Sequence, residues 1–211
     1  MFITRRKFDM SEKVQLILGI GVKGDKYPSY KDGKILKEYN TWTGMIRRCT
    51  KESWIKRPSY IGTTCSENFK SYTFFYEWCQ TQVGFGNVDE KGKSWHLDKD
   101  LLFNGNNVYS EDTCVFVPQN VNCLLTRSEA KRGKYLIGVC WDKQYNRFRA
   151  YCKDGKRKNI NLGRHSTEQE AFLAYKLCKE DVIKKVAEEY KYQLDYRVYE
   201  SLMKYKVSEN D

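Results

Sequence analysis

The sequence predicts an α+β protein. Its last third forms a three-stranded antiparallel sheet packed on one helix, and a smaller strand–strand–helix unit lies upstream. Three observations predict this. From Tyr135 three short segments alternate apolar with polar residues and are joined by turns at 142–146 and 154–158. The period then changes: Ala171, Ala174, Tyr175, Cys178, Val182, Val186 and Tyr190 recur at three- and four-residue spacing, as on one face of a helix. Upstream, 94–125 alternate like a short strand, turn at Gly105-Asn106-Asn107, continue as a second strand over Thr113–Val117, and open a short helix at Pro118.

Charge adds a partner class. The chain has 211 residues and a net charge of +11, with 38 Lys and Arg against 27 acids. Residues 1–40 hold 9 basic and 5 acidic groups, 41–130 hold 10 and 10, 131–165 hold 11 and 2, and 166–211 hold 8 and 10. A charge serving solubility alone would be spread along the chain. Concentration in one 35-residue window points to a polyanion whose condensed counterions are released on binding.

No apolar run is long enough for a transmembrane span. The start, MFITRRKFDMSEKVQLILGIG, has too short an apolar run for a secretory leader and no small-residue cleavage site. The chain is therefore expected to be cytoplasmic, with no membrane partner. The eight cysteines form no CxxC pair and are expected as reduced thiols. A zinc site from Cys49, Cys65 and Cys114 has little support in their spacing, so zinc is not expected.

Five segments follow. Residues 1–40 are a basic arm. A second segment, 41–125, begins with Trp42, Met45, Ile46 and Cys49 on one helix face; over 66–82 Ser66 caps a helix with Phe69, Tyr72, Phe75, Tyr76 and Cys79 at helical spacing. Such aromatic stripes are usually core. A polar linker spans 126–133, the sheet and its helix span 134–190, and 191–211 carry a last helix on which Leu194, Val198 and Leu202 share a face with a Glu200–Lys204 pair.

The chemistry concentrates in 134–190. Along the middle strand Arg147, Arg149, Tyr151 and Lys153 point one way, and Phe148, Ala150 and Cys152 the other. In the third strand Ile160 and Leu162 join the apolar face, while Asn159 and Asn161 join the polar one. Ser166 followed by Gln169 predicts a capping box that starts the covering helix. Small alanines let that helix come close, which leaves the opposite face open, flat and cationic. A sheet can enter the roughly 12 Å major groove, where Arg reads guanine and Asn reads adenine.

This segment resembles the APETALA2/ethylene-response-factor (ERF) type of DNA-binding domain. The resemblance rests on Gly138-Val139, the Arg147-Phe148-Arg149-Ala150 strand, Leu162-Gly163, and Glu170-Ala171 followed by Ala174-Tyr175. It covers about 55 residues and implies that the open face contacts double-stranded DNA through Lys143, Arg147, Arg149, Tyr151, Lys153, Asn159 and Asn161. Cys140 stands where that family usually has Arg, and Asn161 where it usually has Trp, so base preference does not carry over.

Segment 94–125 resembles the ββα-metal core of HNH endonucleases, above all the phage proteins that pair such a core with an APETALA2-like domain. If the chain is phage-encoded, its compartment is the cytoplasm of a bacterial host. The resemblance implies Mg²⁺ or Mn²⁺ held by Asp98 on a strand and Asn122 on a helix, with Asp100 as a further acid nearby. Lys99 stands at the motif's His position, where an ammonium cannot accept a proton, and Thr113 at that of its middle Asn. His96, two residues before Asp98, is the alternative base.

Two functions from different classes follow. One is a DNA endonuclease of the HNH homing type, tethered by the C-terminal sheet. The other is a catalytically silent DNA-binding regulator or inhibitor, whose HNH-like segment docks a host protein. A third, RNA-binding accessory role rests on Tyr151 as the one obvious stacking residue of the open face. The sequence does not fix the oligomeric state.

Overall fold

The computed structural model describes residues 16–125, 133–156 and 158–209. Positions 1–15 of the basic arm and 126–132 of the expected linker lie outside them. The described chain is mixed α+β, with small sheets, several short helices and one long one. It divides into two compact units: the chain up to Gln80 with Asn107–Glu111, and Thr81–Asn106 with everything from Asp112 onward.

In the first unit a hairpin pairs β1 (Tyr30–Lys31) with β2 (Lys34–Ile35). Its two turn residues, Asp32 and Gly33, both have positive φ, 51° and 72°, the backbone that a two-residue hairpin turn needs. Helix α1 (Lys37–Arg48) follows and buries Trp42, Met45 and Ile46, the face that the spacing predicts. Thr50 caps α2 (Lys51–Lys56) by accepting from the Ser53 N–H, and strand β3 (Thr64–Cys65) runs parallel to the later strand β5 (Val108–Tyr109).

The single helix expected over 66–82 is two. Ser66 does cap, but it caps one turn, α3 (Glu67–Lys70). The chain at Ser71 is extended, and α4 (Tyr72–Thr81) then begins. The break has a tertiary cause: Val22 N–H donates to Lys70 O at 2.8 Å and Val22 O accepts from Tyr72 N–H at 2.9 Å, so an outside segment takes backbone groups that a continuous helix would pair internally. The aromatic stripe is core. Phe69, Tyr72 and Phe75 are fully buried beside Trp42, whose indole N–H donates to Phe69 O at 2.9 Å. Burial of each such side chain contributes roughly 1.5–3 kcal/mol.

In the second unit β4 (His96–Asp98) pairs antiparallel with β6 (Val115–Val117), His96 opposite Val117 and Asp98 opposite Val115. Val115, Phe116 and Val117 are all buried, so β6 is covered on both faces. Helix α5 (Gln119–Leu124) starts after Pro118 and packs against β4. The main sheet has the order β7-β8-β9, from β7 (Val139–Asp142), β8 (Arg147–Lys153) and β9 (Asn159–His165), all antiparallel.

Helix α6 (Glu168–Glu189) seals the apolar side of that sheet. Ala171, Phe172 and Tyr175 pack with Val139, Ala150 and Cys152 into one buried cluster. The capping box sits one residue later than expected: Thr167 accepts from the Glu170 N–H, and the Glu170 carboxylate accepts from the Thr167 N–H. Ser166/Gln169 and Thr167/Glu170 fit the spacing equally well. The pair ending in a carboxylate wins, because negative charge is stabilised at a helix N-terminus and an amide carries none.

The 22 residues of α6 reach beyond the sheet. Past its C-terminal end the Tyr190 hydroxyl accepts from Asn120 of α5 at 3.0 Å, and its ring meets Trp95 edge-on. Helix α7 (Tyr196–Lys204) folds back on α6 and buries Val198 and Leu202, as the spacing predicts. The chain after it returns to the core. Val207 joins the sheet–helix cluster, its N–H donating to the Glu180 carboxylate at 3.0 Å, and Lys206 reaches the other oxygen at 3.2 Å. Burial alone would raise the Glu180 pKa, but this N–H and the ammonium hold it below the usual carboxylate range. The strand–strand–helix segment and the three-stranded sheet thus share one compact unit, and the division falls inside 41–125. Among the described residues no helix is long and apolar enough to cross a membrane.

Candidate nucleic-acid interface and the Asp98 turn

Strand β8 separates its two sets of side chains. Arg147, Arg149, Tyr151 and Lys153 are exposed, Ala150 and Cys152 are buried, and Phe148 is half-buried against α6's side of the sheet. Asn159 and Asn161 are exposed on β9, opposite Lys153 and Tyr151. Lys143 is exposed in the β7–β8 turn. All seven expected contact residues are therefore solvent-facing, and the six on strands share one face.

That face has a member the alternation misses. Between Arg149 and Tyr151 the β8–β9 register shifts by one residue, at Leu162-Gly163. Gly163 has a φ of +91°, a conformation open to glycine at little cost and typical of a bulge. Counting by twos from Asn159 and Asn161 places Arg164 on the apolar side. The bulge reverses the count and sets Arg164 directly opposite Arg149, while His165 turns to the face of Phe148. A glycine inside a strand pattern was the signal available in the sequence.

The polar face is organised by local pairs. Arg164 Nε donates to Asp142 Oδ2 at 2.9 Å, and its guanidinium lies over the Tyr145 ring, 3.7 Å from the centroid. The guanidinium holds the Asp142 carboxyl below the usual range. Arg147 donates to the Ser166 hydroxyl, and Arg149 sits opposite Cys140, which helps keep it protonated. Four cations, Arg147, Arg149, Lys153 and Arg164, thus share the face with one acid, Asp142. The arginines are fixed by neighbours, so less side-chain entropy remains to be lost on binding.

The expected site residues of segment 94–125 lie as follows. His96 and Asp98 share a side of β4, both half-buried, and Asn122 is half-buried on α5, the helix that packs on that strand. Asp98 Oδ1 accepts two backbone N–H groups, from Asp100 at 3.0 Å and Leu101 at 2.8 Å, and so closes the turn after the strand. Burial, and then the neighbouring Asp100, push the Asp98 pKa up to about 6; the two N–H groups oppose them. Lys99 is buried. Its ammonium donates to Asp100 Oδ2 at 3.1 Å and to Asn106 O at 2.7 Å, while the Asn106 amide returns a bond to Lys99 O at 2.7 Å.

This donor set does not fit a divalent metal ion. A hard cation needs free carboxylate oxygens. Asp98 Oδ1 is committed to two backbone N–H groups of its turn, and the Asp100 carboxylate is paired with the Lys99 ammonium. Among the described residues no group of three or more His, Cys, Asp or Glu side chains is placed to hold a metal. Cys49 and Cys65 are thiol neighbours in the first unit, and Cys114 is fully buried in the second; all eight cysteines are free. No family model matches the chain, and no curated protein or solved structure matches it.

Proposed function

We propose that this protein binds double-stranded DNA through the open face of β7–β9. One observation carries the reading: Arg147, Arg149, Tyr151 and Lys153 are all exposed on the side of the sheet away from α6, with Arg164, Asn159 and Asn161 beside them. Arg and Lys on such a face neutralise phosphates, which supplies affinity and salt dependence. Arg and Asn reach base edges, which supplies sequence preference. Arg164, clamped between Asp142 and Tyr145, is presented in a fixed orientation for a planar acceptor pair such as a guanine edge or a phosphate. The APETALA2-like landmarks support the same use of the sheet.

The strand–strand–helix segment is a scaffold in this reading and not a nuclease centre. Lys99 occupies the place of a general base yet is buried in bonds to Asp100 and Asn106. His96, the alternative base, stands beside an Asp98 already used to close its turn. The function is then that of a silent DNA-binding regulator or inhibitor whose HNH-like segment holds the sheet's long helix through Asn120 and Tyr190, and offers its remaining surface to a protein of the host.

Two measurements test this. Duplex DNA and single-stranded RNA of the same sequence are titrated against the full chain, with tighter duplex binding expected; a preference for RNA would overturn the reading. A supercoiled plasmid is incubated with the protein and Mg²⁺ or Mn²⁺. Nicking by wild type that Asp98→Ala abolishes would replace the silent scaffold with a homing-type endonuclease.

A further inference from the structure

The C-terminal sheet leaves one basic element of the first unit unused. The β1–β2 hairpin is exposed along its whole length, from Tyr30 at 58% to Ile35 at 50%. Lys31 and Lys34 are paired directly across it. Among the described residues neither lysine has an ion-pair partner. Like charges at directly opposed positions destabilise a hairpin, and a short isolated ribbon has little stability to spare. An acid at either position would remove the repulsion and supply a cross-strand pair.

The base of this ribbon is held firmly. Tyr27 stacks on Tyr76 of α4 with ring centroids 3.9 Å apart, and the Tyr72 hydroxyl donates to Pro28 O at 3.0 Å. Ser29 O accepts from Leu36 N–H at 2.9 Å, and α1 begins at the next residue. A tight turn on an anchored base presents two ammonium groups on one side and a Tyr–Ile pair on the other. The DNA major groove admits a ribbon of two strands.

We propose that the β1–β2 hairpin is a second DNA-contacting element, laying Lys31 and Lys34 against backbone phosphates with the ribbon in a groove. The proposal rests on the duplex-binding reading and adds to it a contact made by the other compact unit.

The test uses the full chain and a mixed-sequence duplex. Affinity is measured over a salt series for wild type, Lys31→Ala/Lys34→Ala, Lys31→Arg/Lys34→Arg and Arg147→Glu/Arg149→Glu. Loss of two phosphate contacts lowers the slope of log affinity against log salt by about 1.8. The alanine pair is expected to show that drop with a thermal midpoint no lower than wild type, since the cross-strand repulsion is relieved, and the arginine pair to restore the wild-type slope. In parallel, acylation of Lys31 and Lys34 by an amine-reactive reagent is expected to fall when duplex is added. Unchanged slope and unchanged acylation overturn the hairpin's role. If Arg147→Glu/Arg149→Glu weakens binding in that same experiment, the sheet reading survives alone. If wild type binds no duplex, both fall.

Discussion

Arg164 stands directly opposite Arg149 across β8 and β9, a pairing produced by the bulge at Leu162-Gly163. Two guanidiniums at opposed positions repel unless anions lie between or beside them. Asp142 answers part of that charge through its 2.9 Å bond to Arg164. A phosphate or a guanine edge would answer the rest.

Arg164→Ala is therefore expected to weaken duplex binding by about 1–3 kcal/mol, the range for a bidentate contact, and to reduce the salt slope by about 1 if the contact is to phosphate. Fluorescence anisotropy over a salt series measures both. Unaltered affinity would remove Arg164 from the interface.

Gly138→Ala tests the seam between sheet and helix. Gly138 has a φ of +77°, and a Cβ there would lie 2.1 Å from the Tyr175 ring on α6. Strained backbone and overpacking act together, so a loss of roughly 2–4 kcal/mol is expected. Thermal unfolding reads it as a lower midpoint. A mild effect would mean that α6 does not press on the strand as described.

Asp98 gives a pH signature whose sign can be worked out. Its folded pKa of about 6 lies above the unfolded value of 3.8, so the fold favours the protonated form. Stability from this group is full below the unfolded pKa and lost as pH rises through the folded one. Asp98→Asn keeps an acceptor for the two N–H groups and removes the ionisation. The variant is expected to be more stable than wild type at pH 7, by on the order of 2 kcal/mol, with the difference vanishing near pH 4. Denaturant titrations at the two pH values measure it. A variant less stable at pH 7 would show that the ionised carboxylate is what the turn needs.

The sequence displayed what depends on local period and hid what depends on the third dimension. The exposed set Arg147, Arg149, Tyr151 and Lys153 could be read because β8 alternates without interruption. Arg164 could not, because one bulge reverses the parity of every residue after it. The Trp42 face of α1 and the Val198–Leu202 face of α7 followed from helical spacing. The break at Ser71 did not, since it is made by Val22, about fifty positions away along the chain. The capping box of α6 fits the spacing in two registers, and the Glu170 carboxylate at the helix N-terminus selects between them. The shared unit was hidden for the same reason: the contact between Asn120 and Tyr190 joins segments that composition sets apart. In segment 94–125 the identities of Asp98, Lys99 and Asn122 were plain, but not that Lys99 is buried or that Asp98 serves its own turn.

The most direct measurement is duplex affinity against salt for wild type and for Arg147→Glu/Arg149→Glu. Both side chains are exposed, so the variant is expected to keep its fold. If the open sheet face holds DNA, the variant loses at least tenfold in affinity and its salt slope falls by about 2. Identical affinity and slope in the two proteins would contradict the account.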